Sequence, residues 1–162
     1  YAQHIWKHAN KVSRSQIRIY ADELSYHLHI LLRYRIEKGL IEGSLQAKDV
    51  ETAWNDMALD FFGQVPAQPA EGFVQDIHWA HGSMGYFPTY TMGSLLAAHF
   101  STQIFQEADA MPKLIQKAKA HFEQKVFCHG ALLRSEELLP NNPKEIVDCF
   151  LHYIDSKYQA YL

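Results

Sequence analysis

Four side chains near the amino end could line a cleft in which an arginine meets an anion. Arg18 and Asp22 stand four residues apart, and Tyr26 and His29 follow at spacings that keep them near one face of a helix. A guanidinium there suits a carboxylate ligand, because its planar fork donates two parallel hydrogen bonds, and Asp22 is placed to hold it. The same face would also serve as plain solvated surface opposite an apolar stripe, with Arg18 and Asp22 an exposed pair of roughly 0.3–0.5 kcal/mol. The chain has ten histidines. His78 and His81 superficially suggest a metal pair, but they sit in a stretch rich in glycine, proline and aromatics, without the glutamate and helix of an H-E-x-x-H motif. His27 and His29 project to different sides of a helix and cannot chelate together. The sequence contains no G-x-S-x-G, no glycine-rich phosphate loop and no locally supported Cys–His pair.

The elements that must carry these groups read as helices almost throughout. Apolar residues Ile17, Leu24, Leu28, Leu31, Leu32 and Ile36 predict one long helix from Ile17 to about Ile41, with Ser13 or Ser15 as N-cap and Gly39 or Gly43 near its end. A second is predicted from about Ala47 to Phe62, striped by Val50, Trp54, Met57 and Phe61, with Gly63 at the C′ position. Residues 63–72 hold two prolines and two glycines and read as a loop. From 73 to 91 the chain is dense in aromatics, glycine and histidine and keeps no period. Helical spacing returns from Thr91 to about Gln106, and from Pro112 to about Gln124 with proline at N1. The last helix, Pro143 to about Tyr158, has Asn142 as N-cap. Between these, 127–139 is ambiguous, with Ser135 as a cap for one short helix.

The chain has 162 residues, 48% apolar, 20% charged and 13% aromatic, with a net charge of -3. That composition suits a folded domain and excludes disorder, and no apolar run approaches the ~20 residues of a membrane span. Fifteen Lys and Arg against eighteen Asp and Glu leave no basic excess for nucleic acid. Cys128 and Cys149 are too few and too distant for a disulfide framework, so a cytoplasmic setting is expected. The start, Tyr-Ala-Gln-His-Ile-Trp-Lys, has neither an initiating Met nor a signal-peptide pattern, and reads as the middle of a longer sequence.

Two stretches carry a resemblance. Ile17-Arg18-Ile19-Tyr20-Ala21-Asp22 resembles I-R-x-x-A-D, and Gly72-Phe73-Val74-Gln75-Asp76-Ile77-His78-Trp79 fits G-x-x-Q-D-x-H-W. Both are signatures of the M32 metallocarboxypeptidases. Gly85 to Thr91 and the ending from Phe150 to Leu162 are similar to the segments that follow in the family, so the resemblance spans essentially the whole chain and maps it to the last third of such an enzyme. Tyr20, Ala80 and Met84 depart from the family pattern without removing a functional group.

The resemblance implies an all-α fold: a multi-helix portion of a helical zincin-like metallopeptidase, residues 1–162 being its C-terminal region, with an irregular or short β-containing active-site loop at about 72–90. It implies zinc, or another divalent metal, held by an H-E-x-x-H helix and a later glutamate that precede these motifs. No H-E-x-x-H occurs between Tyr1 and Leu162, so the metal ligands are expected outside this chain and the chain alone is expected to be inactive. The implied substrate is a peptide with a free C-terminus, and the implied partners are the N-terminal part of the same protein and a second copy in a homodimer. Carried over residue by residue, Arg18 receives the substrate carboxylate, Tyr90 donates to the oxyanion, and His78 hydrogen-bonds substrate or transition state. Asp22, Gln75 and Tyr86 complete the substrate-binding set; Gln75 and Asp76 brace the loop, while Trp79 and Phe87 pack it. The alternative is a non-catalytic helical binding or scaffold module that retains the fold.

Overall fold

The computed structural model describes residues 1–105, 110–134, 137 and 142–159. The described residues form six α-helices: α1 Ala2–Ala9, α2 Tyr26–Glu42, α3 Val50–Phe62, α4 Pro88–Ile104, α5 Met111–Lys125 and α6 Pro143–Gln159. Among the described residues there is no strand, as an all-α fold requires, and the segment around 72–90 is built of turns and short 3-10 stretches at Pro69–Glu71 and Trp79–His81. The chain forms two compact units, Tyr1–Thr91 and Met92–Leu162.

In the first unit α2 and α3 pack through Leu32, Ile36, Val50, Trp54, Ala58 and Phe62. Each large apolar side chain fully buried there contributes roughly 1.5–3 kcal/mol. Gly43 and Gly63 end the two helices in the left-handed region, φ 74° and 78°, where a side chain would be strained.

The predicted helix from Ile17 to Ile41 is not one helix. Arg18–Tyr20 is a 3-10 turn, Ala21 is extended, and α2 begins only at Tyr26. The cause is Asp22. Its Oδ1 accepts from the backbone N of Leu24 and Ser25 at 2.9 and 3.0 Å, and its Oδ2 from Ser13 N and Ser25 Oγ, both at 2.8 Å. A short carboxylate that captures nearby amides in this way starts a helix; it does not sit inside one. Ser13 and Ser15 therefore cap nothing: Ser13 donates to Asp22, and the Ser15 carbonyl serves His29.

Helix α4 starts at Pro88, three residues before the predicted Thr91, which puts Tyr90 on its first turn. Proline fixes φ for a helix and lacks only an N–H that the first turn could not use.

In the second unit α5 follows an extended Ala110. Asn142 Oδ1 accepts from Lys144 N at 3.1 Å, the predicted cap of α6. Phe127–His129 is a 3-10 turn, while Ser135 and Gln106 lie outside the described residues. His99 is buried, with Gln103 Nε2 at 2.8 Å from its Nε2 and Cys149 Sγ at 3.8 Å from its Nδ1. That Cys–His approach spans fifty residues, which is why no local motif signals it.

Candidate functional site

The 3-10 turn that carries Arg18 is fastened to the 72–79 segment by Gln75. The Gln75 Oε1 accepts from Arg18 N at 2.8 Å, and its Nε2 donates to the carbonyls of Gln16 and Glu71 at 3.1 and 2.8 Å. One amide thus satisfies three backbone groups and aims the Arg18 side chain.

Asp76, not Asp22, holds the Arg18 guanidinium. Arg18 Nη2 and Nε donate to Asp76 Oδ1 at 2.6 and 3.1 Å, with Nε also 3.3 Å from Oδ2, and Nη1 donates to the Tyr26 hydroxyl at 2.9 Å. Asp22 is spent on Ser13, Leu24 and Ser25, so the expected contact between Asp22 and Arg18 does not form. Burial pushes the Asp22 carboxyl up, but those hydrogen bonds outweigh it and its pKa falls below the usual carboxylate value.

The other oxygen of Asp76 belongs to Arg33 on α2. Arg33 Nε and Nη2 reach Asp76 Oδ2 at 2.8 and 2.6 Å, and Nη1 donates to the His29 carbonyl at 2.9 Å. The Arg33 side chain is only 1% exposed and lies over Trp54 and Phe87, with 4.8 and 5.2 Å from its central carbon to the ring centroids. Burial lowers its pKa to about 10, against the pull of Asp76, so it stays cationic at neutral pH. Asp76 itself would be raised by burial, yet the two guanidinium groups hold it below the ordinary carboxylate value. Arg18 is pulled down by burial and more than restored by Asp76 and Tyr26.

His29 lies behind this cluster, fully buried and stacked on Phe62 at 4.3 Å. Its Nε2 is 3.0 Å from the Ser15 carbonyl, which can only accept, so the proton sits on Nε2. Nδ1 is buried without a partner. A second proton there would be unpaired and would face Arg33 and Arg18; burial and those charges lower the His29 pKa to about 4.

The aromatic side of the site is the end of the irregular segment and the first turn of α4. His78 Nε2 is 3.0 Å from the Tyr90 hydroxyl, and Tyr86 lies against both rings with centroids at 5.6 and 5.5 Å. The Arg18 guanidinium carbon is 5.1 Å from the Tyr90 ring centroid. Phe87, 1% exposed, lies between the cations and His78, 5.7 Å from Arg18 and 4.3 Å from the His78 ring. Trp79 closes this side by donating from Nε1 to Glu37 Oε1 at 2.8 Å.

Arg18, Gln75, His78, Tyr86 and Tyr90 therefore meet in one place, and Asp22 shapes the backbone beside them. Arg18 has five N–H donors, of which Asp76 and Tyr26 engage three, leaving one on each terminal nitrogen. The Tyr26 oxygen accepts from Arg18, so its own proton is available to donate. Sequence reasoning missed Arg33 and the double duty of Asp76. A signal existed: Tyr26, His29, Arg33 and Glu37 step by three, four and four, a polar line on a helix face that is otherwise apolar. Among the described residues no group of three or more His, Cys, Asp or Glu is arranged to hold a metal ion; His81 is exposed on its turn.

Comparison with known proteins gives a consistent result. The family model described as Carboxypeptidase Taq (M32) metallopeptidase matches residues 1–158. Thermostable carboxypeptidase 1 of Pyrococcus furiosus is 36% identical over 161 residues, covering 95% of this chain and 32% of that protein. The protein of the same name from Thermus thermophilus is 37% identical over 162 residues, covering 93% and 31%. Among solved structures, Trypanosoma cruzi metallocarboxypeptidase 1 superposes with a TM-score of 0.85 at 31% identity, covering 98% of this chain and 35% of that one. An M32 carboxypeptidase from Deinococcus radiodurans gives 0.85 at 27% identity, covering 99% and 34%. The chain spans about a third of the length of the relatives it matches.

Proposed function

The chain belongs to the Taq carboxypeptidase (M32) family of metallopeptidases, and from that membership we propose that it is the C-terminal portion of a metallocarboxypeptidase that releases C-terminal amino acids from peptides. The observation that carries the proposal is the convergence of a cation with a phenol and an imidazole: Arg18 lies 5.1 Å from the Tyr90 ring, and the Tyr90 hydroxyl is 3.0 Å from His78. Removing a C-terminal residue requires a group that holds the terminal carboxylate and donors that meet the charge developing on the scissile carbonyl oxygen.

Arg18 fills the first role. Its two remaining N–H groups and the Tyr26 proton can take a carboxylate, while Gln75 and Asp76 fix its direction. Tyr90 fills the second, since a phenol places a neutral O–H on a developing oxyanion, and His78 supports it or shares the task. Tyr86 walls the substrate space beside them.

The family name implies a divalent metal, which supplies Lewis-acid chemistry to such peptidases when bound. The described residues do not fit one, so its ligands, zinc being the expected ion, are assigned to the portion beyond this chain, and that portion becomes an obligate partner. Both cysteines are free, and among the described residues no helix is long and apolar enough to cross a membrane.

The test is the full-length protein assayed on peptides with free and amidated C-termini. Wild type should cleave only the free form. Arg18→Ala should raise KM for that form and erase the discrimination. If Arg18→Ala discriminates as wild type does, Arg18 does not hold the carboxylate; if metal-loaded full-length protein cleaves neither substrate, the non-catalytic module is the better description.

A further inference from the structure

Arg18 and Asp76 alone would make a neutral pair, with no Coulombic preference for an anionic ligand. The structure adds a second cation to the same carboxylate: Arg33 reaches Asp76 Oδ2 at 2.6 Å while Arg18 reaches Oδ1 at 2.6 Å. Within this triad two guanidinium groups against one carboxylate leave one positive charge. Of the neighbouring carboxylates, Asp22 is held by Ser13, Leu24 and Ser25 and by neither arginine. Glu37, one turn along α2, accepts from Trp79 Nε1 and makes no ion pair with either arginine, and burial, with Nδ1 left unpartnered beside Arg33 and Arg18, keeps His29 neutral. Arg33 is sealed by Trp54 and Phe87 and is 1% exposed, so it cannot itself reach a ligand, whereas Arg18 has two N–H groups still to donate.

We infer that Arg33 is a positioning residue that gives the Arg18 site its preference for a carboxylate: it neutralises Asp76 from behind, so that Asp76 can aim Arg18 without cancelling its charge. The assignment rests on the reading of Arg18 as the group that binds the substrate carboxylate. Burying a cation is expensive, and here the expense is offset by one hydrogen bond and a 2.6 Å ion-pair contact to Asp76, a hydrogen bond to the His29 carbonyl and two aromatic faces. Aiming alone could be done by Asp76 with Gln75; the additional buried charge is explained by the ligand.

The experiment uses full-length, metal-loaded enzyme and an N-blocked dipeptide with a free C-terminus, its C-terminal amide serving as a neutral competitor. Arg33→Met should raise KM for the free carboxylate about ten- to a hundredfold, leave kcat within about threefold, and leave inhibition by the amide unchanged. Arg33→Lys, which keeps the charge but not the fork, should recover most of the loss. The decisive variant is Arg33→Met with Asp76→Asn. Removing one charge of each sign restores Arg18 as a lone cation, so KM should fall back toward wild type even though a second buried partner has been lost. A packing role predicts the opposite order. The assignment is overturned if the double variant is worse than Arg33→Met, if Lys rescues no better than Met, or if kcat falls together with the rise in KM. Should Arg33→Met not accumulate as folded protein, Arg33→Gln makes the same charge change with polar donors retained and must show the same KM rise. A wild-type enzyme that does not prefer the free carboxylate overturns the reading of Arg18, and the role of Arg33 with it. Intact preference in wild type with unaltered Arg33 variants overturns the role of Arg33 alone.

Discussion

Two sets of charges on this molecule obey different rules. Along the outer surface of α2 and α5, Lys38–Glu42 and Lys119–Glu123 pair at 3.8 Å, four residues apart, with every side chain more than half exposed. Within the first unit, Arg18 and Arg33 meet Asp76 at 2.6 Å across 58 and 43 residues, with side chains 10% exposed or less. The surface pairs satisfy the helical spacing rule and do little, because water screens them and holding two long side chains costs entropy. The buried set violates every local rule, and its energies are large because little solvent is present to weaken them. Proximity in sequence is thus a poor guide to which charges matter.

The contrast can be broken most forcefully at Asp76. Asp76→Ala leaves two guanidinium groups facing each other in a site with little solvent and should destabilise the first unit by about 3–5 kcal/mol, read as a lowered midpoint in urea. A loss below about 1 kcal/mol would place these charges in the same class as the surface pairs.

Tyr90→Phe sharpens it by separating chemistry from stability. That change leaves all three charges in place, and in the full-length enzyme it should lower kcat by about 10²–10³ with little change in KM. An unchanged kcat would remove Tyr90 from the transition state.

Acid titration probes the neutral member of the buried set. The folded pKa of His29, about 4, lies below the ordinary histidine value of 6.5, so the unfolded chain binds more protons between those limits. Stability contributed by neutral His29 is therefore complete above pH 6.5 and lost progressively as pH falls toward 4, by up to a few kcal/mol. Asp76, whose folded pKa is lowered from 3.8, contributes stability that is lost only as pH falls below that value. His29→Gln should flatten the urea midpoint between pH 6.5 and 4 and leave the lower limb intact. An unchanged slope there would show that another group dominates. The smallest effect belongs to the surface: Lys119→Ala should alter stability by no more than about 0.5 kcal/mol, and less at high salt.

Much of the framework was legible because its signals are local. Gly63 ends α3 where the apolar stripe stops, and Asn142 caps α6 through Lys144 as its position before a proline suggests. The start of α2 was not legible, because periodicity through Ile17 and Leu24 is blind to a carboxylate that takes the amides of Leu24 and Ser25 for itself. The missing period over 73–91 hides that Tyr90 is helical, although Pro88 already opens α4. The motif resemblance brought Arg18, Gln75, His78 and Tyr90 into view, and these do assemble. The four-residue spacing points Arg18 to the wrong carboxylate, since Asp22 is near in sequence and Asp76 is near in space. Arg33 lay outside both motifs; only the polar line on α2 marked it.

The 58 residues between Arg18 and Asp76 also set a delay. At roughly 5–20 residues per second of synthesis, about 3–12 s separate the emergence of the arginine from that of its carboxylate. Throughout that interval the turn at Arg18–Tyr20 lacks Gln75, Asp76 and the Phe87 ring, all of which are made later. A nascent chain therefore carries both Arg18 and Arg33 before the one carboxylate that pairs with them has been made.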